Sequence, residues 1–269
     1  MIDTHCHLSD PRVSAEKAEE FITASKAKGI TRLIMGGISP SEWDRQNALS
    51  EKFPEVIVPV FGLHPWWVSQ NADEGTLQSA FNDLKIRLPH AAALGELGLD
   101  YTSRFSDSER LRQRKFFEAQ LGLALHAQKP LVLHVVRAHL QALESIAQIY
   151  GNARSPGIVH GFSGSWQEAK GYLARGLSIS LGGAVTWKTS RPKVHRKLSE
   201  VAHQLPLEHL LIESDTPDQA PEGALEGQEH GPLSILRIAD EIALIRGVSA
   251  SSLLEASAEN ARRIFGLSK

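Results

Sequence analysis

Short apolar runs alternate along the chain with longer stretches rich in helix-forming residues. The runs are nearly continuous in valine, isoleucine, leucine and alanine, which is typical of strands covered on both faces in a parallel sheet. After a first strand in residues 1–8, the pattern predicts strands at 30–35, 56–61, 91–94, 130–135, 157–160, 177–181 and 210–214. It predicts helices at 14–28, 41–53, 74–88, 108–128, 138–150 and 166–175, the first of them closed by Gly29.

This alternation predicts an α/β protein in which eight strands alternate with eight helical stretches, of which six have the bounds given above. Eight such units favour closure into a TIM-type (β/α)₈ barrel. The chain has 269 residues and no long linker rich in proline, glycine or serine, so we expect a single domain over residues 1–269. An open, doubly wound sheet is the main alternative, but the glycine-rich dinucleotide fingerprint expected after its first strand is missing.

Two histidines one residue apart end the first apolar run. Side chains at i and i+2 of a strand project to the same face, so His5 and His7 should converge while Cys6 faces away. Two convergent neutral imidazoles suggest a metal site. The pair is a weak signal by itself, because the chain has twelve histidines.

Single histidines and carboxylates recur where later apolar runs end. They are Glu96, His134, His160 and Asp215. Taken singly, each histidine could be a core residue bonded to backbone, and Glu96 could cap a helix. In a barrel, however, the carboxyl ends of all the strands meet at one face, where active sites lie. We therefore expect these residues to surround one pocket with the first pair.

Four histidines and two carboxylates are more than one structural zinc ion needs, and they suit two divalent ions bridged by a carboxylate and by water. The spacing leaves zinc, magnesium, manganese, nickel and iron open as the metal. Metal-assisted hydrolysis is the reaction that this set of ligands predicts.

Further residues are candidates for the chemistry around the metals. Glu213 and Asp215 stand two apart on the predicted last strand, and Asp215, nearer the strand's exit, is the stronger candidate for a ligand and general base. Glu213 would orient a histidine. His64, in the run Gly-Leu-His-Pro, is a candidate substrate contact or an ordinary loop histidine.

Substrate contacts have weaker signals. Arg137 and Lys188 are candidate phosphate clamps, and as ordinary solvated charges they are equally plausible. Trp66 and Trp67 are candidates for stacking on bases, although a tryptophan pair under a loop more often packs against the core.

The charge balance and cysteine content narrow the classes of partner and compartment. A formal net charge of -2 argues against a broadly basic surface, so any contact with DNA should be local to a cleft. The single cysteine cannot form an internal disulfide, and the amino terminus lacks a signal-peptide pattern. We expect a soluble, cytoplasmic protein with no membrane segment and no obligate protein partner.

Several blocks of the sequence, taken together, resemble the TatD-type metal-dependent deoxyribonuclease family. The blocks are DTHCHL at 3–8, GLHP at 62–65, GELGLDY at 95–101, VHGFSG at 159–164, IESDTP at 212–217 and NARRIF at 260–265. The resemblance covers essentially the whole chain. It implies a (β/α)₈ barrel and a divalent-metal phosphodiesterase acting on DNA.

The resemblance also implies roles for individual residues. It implies that six residues bind the metals: His5, His7, Glu96, His134, His160 and Asp215. Glu96 would be the bridging carboxylate, and His64 would lie near the scissile phosphate. Glu96, His64 and Asp215 make up the predicted catalytic set.

Two departures from the family pattern touch substrate contacts. Family members commonly carry His-Ser-Arg after strand five, whereas His134-Val-Val-Arg137 here displaces the arginine by one residue. The loop after strand eight usually carries an arginine or asparagine near a proline, and here it has GQEHGP at 227–232. Neither departure touches a predicted metal ligand.

Two other functions are consistent with the same barrel. One is hydrolysis of amides or esters in small molecules, as in amidohydrolase relatives. Many of those relatives bridge their metals with a carboxylated lysine, and Glu96 at the strand-four position favours the phosphodiesterase. The other is a binding module without chemistry, which the presence of every inferred ligand disfavours.

Overall fold

A sheet of eight parallel strands forms the centre of the computed structural model, which describes residues 1–224 and 230–268. Each strand pairs with the next in chain order. The strands are β1 (Ile2–Cys6), β2 (Arg32–Gly37), β3 (Ile57–Phe61), β4 (Ala93–Asp100), β5 (Leu131–Val136), β6 (Gly157–His160), β7 (Leu177–Leu181) and β8 (Leu210–Ile212).

Helices connect the strands and cover the outside of the sheet. They are α1 (Ala15–Ala27), α2 (Pro40–Lys52), α3 (Pro65–Gln70), α4 (Glu74–Arg87), α5 (Asp107–Ala127), α6 (His139–Tyr150), α7 (Trp166–Ala174), α8 (Pro192–Gln204), α9 (Ser234–Arg246) and α10 (Ala250–Phe265). The predicted (β/α)₈ barrel is confirmed, and the open sheet is excluded. Within the described ranges, no helix is long and apolar enough to cross a lipid bilayer.

Backbone hydrogen bonds join the first strand to the segment that follows the last one. The Asp215 N–H donates to the His5 carbonyl at 3.0 Å, and the His7 N–H donates to the Thr216 carbonyl at 2.7 Å. These bonds nearly close the barrel. They also place the two amino-terminal histidines beside a carboxylate that is distant in sequence.

Apolar side chains fill the barrel interior below its carboxyl end. Residues from β1 to β6 and β8 meet side chains of α10 there: Ile2, Ile34, Val58, Val60, Ala93, Val132, Ile158, Leu211, Ala258, Ala261 and Phe265. A larger cluster packs between the strands and the surrounding helices. Because this apolar filling excludes water from the interior, polar side chains are left at the carboxyl end, where the strands open.

The fourth strand is longer than the sequence pattern predicts. The prediction ended it at residue 94 and placed Glu96 after its exit, whereas β4 extends to Asp100 and contains Glu96. Glycines at 95 and 98 lower the intrinsic strand propensity, but pairing with β5 supplies the hydrogen bonds. The pairing shifts its register between Gly95 and Leu97, so Glu96 lies at an irregularity inside the barrel.

The boundaries of other elements also differ from the predicted ones. The predicted strand at 30–35 is displaced towards the carboxyl end as β2, and the strand predicted to end at 214 ends at Ile212. Helix α3 was not predicted; Pro65 occupies its first turn, and the His64 side chain caps it by accepting from the Trp66 N–H at 3.0 Å. Two helices, α9 and α10, follow β8.

Candidate metal centre

The six predicted ligands come together at the carboxyl end of the barrel. Metal-ligating atoms within 4.8 Å of one another form several overlapping groups there. The groups are His5–Glu96–His160, His5–His7–Asp215, His64–Glu96–His134 and His160–Glu213–Asp215. Every residue named as a metal ligand from the sequence belongs to at least one group.

One oxygen of the Glu96 carboxylate faces the amino-terminal histidines. Glu96 Oε2 lies 3.2 Å from His7 Nε2 and 3.5 Å from His5 Nε2. His5 Nε2 and His7 Nε2 are 3.0 Å apart, and Asp215 Oδ1 lies 3.5 Å from His7 Nε2. Two imidazoles and two carboxylate oxygens therefore converge on one point, as alternation along β1 predicts.

The other oxygen of the same carboxylate faces a second set of imidazoles. Glu96 Oε1 lies 2.6 Å from His160 Nε2, 3.3 Å from His134 Nδ1 and 3.5 Å from His64 Nε2. The sets of donors on the two sides of Glu96 are thus brought together by a single carboxylate. This is the geometry that a bridging ligand between two cations requires.

Buried polar atoms around the cluster lack hydrogen-bond partners within residues 1–224 and 230–268. They are His5 Nδ1, Glu96 Oε2, His134 Nε2, His160 Nδ1 and Glu213 Oε2. Leaving a buried polar atom unpaired costs about 1–3 kcal/mol. A concentration of such atoms in one cluster of imidazoles and carboxylates fits a site built to hold cations.

The charges of the cluster are set by burial and by mutual contact. Burial alone would raise the pKa of Glu96, but the surrounding imidazoles hold it well below its usual value. Burial and the nearby His160 lower the pKa of His5 to about 4. At His7, Glu96 and Asp215 outweigh burial and raise the pKa to about 10. An ionised carboxylate therefore lies at the centre of the site.

The pKa values of the two carboxyl groups after β8 shift in opposite directions. Burial and the neighbouring Asp215 raise the pKa of Glu213 well above its usual value, and its Oε1 accepts from the Gly161 N–H. Burial would also raise the pKa of Asp215, but hydrogen bonding to His7 and the nearby imidazole charges lower it to about 2. Environments that push two carboxyl pKa values apart assign them different roles. Here Asp215 is the ionised member.

His64 is buried beside the candidate metal ligands, with 2% of its surface exposed. Its Nδ1 accepts from the Trp66 N–H, so a neutral ring carries its proton on Nε2, the atom that faces Glu96. Burial lowers the pKa of His64 well below its usual value, which keeps the ring neutral. His64 is therefore arranged to donate a hydrogen bond into the site.

A glycine on β2 makes room for the first two histidines. A Cβ atom placed on Gly36 would lie 2.5 Å from Cε1 of His5 and 3.0 Å from Cε1 of His7. Neither imidazole is free to withdraw, because both are buried among the other ligands. The absence of a side chain at this position is thus part of the site.

Gly36→Ala should weaken divalent-ion binding by about 10- to 100-fold, the range typical of changes to residues that orient metal ligands. The matched control is Gly122→Ala in α5, where a Cβ would meet no atom within 4 Å. Metal affinity is measured by titration, with circular dichroism to verify folding. Unchanged affinity in Gly36→Ala would contradict the crowding predicted here.

The remaining predicted contacts have mixed outcomes. Arg137 directly follows β5, is exposed and has a left-handed backbone, with a φ of 55°. Lys188 pairs with Glu241 at 2.7 Å. Trp67 packs against the outer hydrophobic cluster, whereas Trp66 lies near the site. Of the loop singled out at 227–232, positions 227–229 lie outside the described residues.

Three residues of the site environment were not given roles from the sequence. Asp100, at the end of β4, accepts from Trp66 Nε1 at 2.6 Å. Gln219 donates to Asp215 Oδ2 at 2.6 Å. Asp3 accepts from both the N–H and the hydroxyl of residue 214, which anchors the segment after β8. The partners of Asp100 and Asp3 are distant in the chain, so local sequence carries no signal for these contacts. Both residues nevertheless stand in the blocks quoted above, at 95–101 and 3–8, whereas Gln219 stands in none of them.

Comparison with known proteins gives the family of this fold and site. The sequence model described as TatD related DNase matches residues 2–266. The chain belongs to this family. The TatD resemblance seen in the sequence blocks is thereby confirmed, as is the assignment to the metal-dependent hydrolases.

Individual TatD relatives match over nearly their full length. The uncharacterized metal-dependent hydrolase YjjV of Escherichia coli (strain K12) is 30% identical, covering 99% of this chain and 98% of YjjV. The 3'-5' ssDNA/RNA exonuclease TatD of Rahnella sp. (strain Y9602) is 28% identical, covering 93% and 92%. The crystal structure of YjjV, a TatD homolog from Escherichia coli K12, superposes with a TM-score of 0.84 at 28% identity and covers 100% of this chain and 98% of that chain.

Proposed function

We propose that this TatD-family protein is a two-metal phosphodiesterase that hydrolyses nucleic acid strands bound in a local cleft. The observation that carries the proposal is the position of Glu96, whose two oxygens face separate sets of imidazoles. Two metals bridged by one carboxylate are a recurrent arrangement in enzymes that hydrolyse phosphate esters.

The donors fall into two sets that would each hold one divalent ion. His5, His7 and Asp215 would act with Glu96 Oε2, and His134 and His160 would act with Glu96 Oε1. Imidazole-rich donor sets favour zinc, manganese, nickel or iron over magnesium, which is usually bound through oxygen. When bound, two such ions lower the pKa of water and stabilise charge on phosphate oxygens.

The protein's own side chains would move the proton and hold the phosphate. Asp215 is ionised and buried, so it would accept the proton of the attacking water. Glu213, with its raised pKa, would stay neutral and hold the adjacent loop through the Gly161 N–H. His64 would donate its Nε2–H to a phosphate oxygen.

The choice of a phosphodiester follows from the family and from the bridge. A relative named an exonuclease of single-stranded DNA and RNA matches over most of its length. A glutamate bridge also distinguishes this site from amidohydrolases that use a carboxylated lysine. A formal net charge of -2 argues against a broadly basic surface, so nucleic acid would be bound locally, in the cleft. The lone, buried Cys6 suits a reducing compartment such as the cytoplasm.

A substrate panel tests the proposed function. Protein reconstituted separately with zinc, manganese and nickel is assayed with a single-stranded oligonucleotide, bis-para-nitrophenyl phosphate, a set of amides and a set of esters. We expect turnover of the two phosphodiesters and its loss on chelation. Turnover of amides or esters without phosphodiester cleavage would establish the amidohydrolase alternative instead.

The predicted role of His64 is testable by separating turnover from metal binding. His64→Ala should lower kcat for a phosphodiester by about 10²-fold, the effect of removing one donor to a developing oxyanion. Because the proton on Nε2 disfavours ligation by that atom, metal content should stay near that of the wild type. Loss of a metal ion from His64→Ala would assign this histidine to the ions and not to the substrate.

A further inference from the structure

An arginine, a tryptophan and an aspartate form a cluster at the barrel mouth beside the metal ligands. Arg104 lies in the loop between β4 and α5, with its guanidinium 4.1 Å from the centroid of the Trp66 ring. One of its nitrogens donates to Asp100 Oδ2 at 2.8 Å, and the Trp66 indole N–H donates to the same oxygen. The planar guanidinium is thereby stacked and hydrogen-bonded in one orientation.

The cluster is continuous with the candidate metal centre. Asp100 Oδ2 also lies 4.0 Å from His134 Nε2. The Trp66 ring centroid lies 4.8 Å from that of His64 and 5.8 Å from that of His134. Arg104, stacked on Trp66, therefore borders the candidate metal centre on the side of His64 and His134.

Within the part of the chain that the structure describes, much of the hydrogen-bonding capacity of Arg104 is unused. A guanidinium has five N–H donors, and among the described residues the hydrogen bond to Asp100 is the one that the Arg104 side chain makes. The side chain is 50% exposed, whereas Asp100 beneath it is 1% exposed. The buried partner fixes the arginine, and the exposed edge presents donors to the solvent.

We propose that Arg104, oriented by Trp66 and Asp100, binds the phosphate next to the scissile one in a nucleic acid substrate. This inference rests on the proposed phosphodiesterase function and identifies a residue that selects a polynucleotide over a single phosphodiester. Arginine presents paired donors that match phosphate oxygens. Arg137, the arginine that the sequence pattern indicated, is exposed, and within residues 1–224 and 230–268 no hydrogen bond or aromatic ring orients its guanidinium. A preorganised side chain loses less entropy on binding.

Comparing a substrate that has one phosphate with one that has several tests whether Arg104 binds a second phosphate. Arg104→Gln should raise KM for a single-stranded oligonucleotide by about 10- to 100-fold, the loss expected for hydrogen bonds to a charged group. Its kcat should be unchanged, because the contact is made equally before and during reaction. Turnover of bis-para-nitrophenyl phosphate, which has no second phosphate, should be unaffected. The matched control is Arg154→Gln, an exposed arginine before β6 at the opposite end of the barrel.

Salt dependence gives a readout that a structural role would not change. Removing one phosphate contact should reduce the slope of log KM for the oligonucleotide against log salt concentration by about 0.7. Trp66→Phe, which removes the indole donor to Asp100 but keeps an aromatic ring, should raise KM for the oligonucleotide by a smaller factor. Metal content should match the wild type in all these variants.

These measurements distinguish failure of the Arg104 assignment from failure of the proposed function. If the wild type cleaves both phosphodiesters while Arg104→Gln keeps the wild-type KM and salt slope, the assignment of Arg104 is wrong and the proposed function stands. Equal losses on both substrates, or a loss of metal, would also overturn the assignment, because they would show that Arg104 supports the metal centre. If the wild type cleaves neither phosphodiester, the proposed function itself fails.

Discussion

Replacement of Glu96 by glutamine is expected to lower kcat/KM for a phosphodiester by about 10³-fold or more, because the charge stabilisation of a metal site is worth several kcal/mol. The substitution keeps the side chain's shape but removes the negative charge that faces imidazoles on both sides. Divalent-ion affinity should fall by more than about 100-fold, since even residues behind the ligands contribute 10- to 100-fold.

The controls for this variant separate a lost ligand from a damaged fold. Glu118→Gln, in α5 on the outside of the barrel, removes a carboxylate that bonds Arg114 and Ser145 and should leave metal binding unchanged. Metal content is measured by elemental analysis and folding by circular dichroism. If Glu96→Gln binds two ions with wild-type affinity, Glu96 is not the bridge.

Asp215→Asn is expected to lower kcat by ~10²–10⁴-fold, the contribution of a positioned general base. The amide keeps the size of the carboxylate but loses its charge and its basicity. The loss should fall on kcat more than on KM, because substrate phosphates are held by other groups. Loss of a metal ion would add to the effect, so rates are compared at matched, measured metal occupancy.

Glu213→Gln is the comparison that gives this prediction its specificity. Glu213 is buried and has a raised pKa, so an amide resembles its neutral form and should cost less than the change at Asp215. Near-normal kcat in a fully metallated Asp215→Asn variant would exclude Asp215 as the base. A larger loss in Glu213→Gln than in Asp215→Asn would transfer the role to Glu213.

The alternation of apolar and polar positions predicted the barrel because each strand is buried on both faces and each helix on one. The period of two residues along a strand predicted that His5 and His7 converge. The strand prediction failed at β4, where Gly95 and Gly98 interrupt the apolar run of a strand that pairing with β3 and β5 stabilises. Glu96 was therefore recognised as a site residue but placed outside its strand.

The contacts around the ligands could not be predicted in the same way. Arg104 is an ordinary charged loop residue in the sequence, and its proposed role depends on Trp66 in α3 and on the buried Asp100. Likewise, the proximity of Asp215 to His5 depends on the junction between the first strand and the end of the last. These arrangements arise from tertiary packing, for which local periodicity carries no signal.

Anomalous diffraction from crystals of the metal-loaded protein tests whether Glu96 bridges two ions. Two peaks about 3.5–4 Å apart are expected. One peak should lie between His5, His7 and Glu96 Oε2, and the other should lie between His134, His160 and Glu96 Oε1. A single peak, or two peaks that do not share Glu96, would contradict the bridged two-metal site.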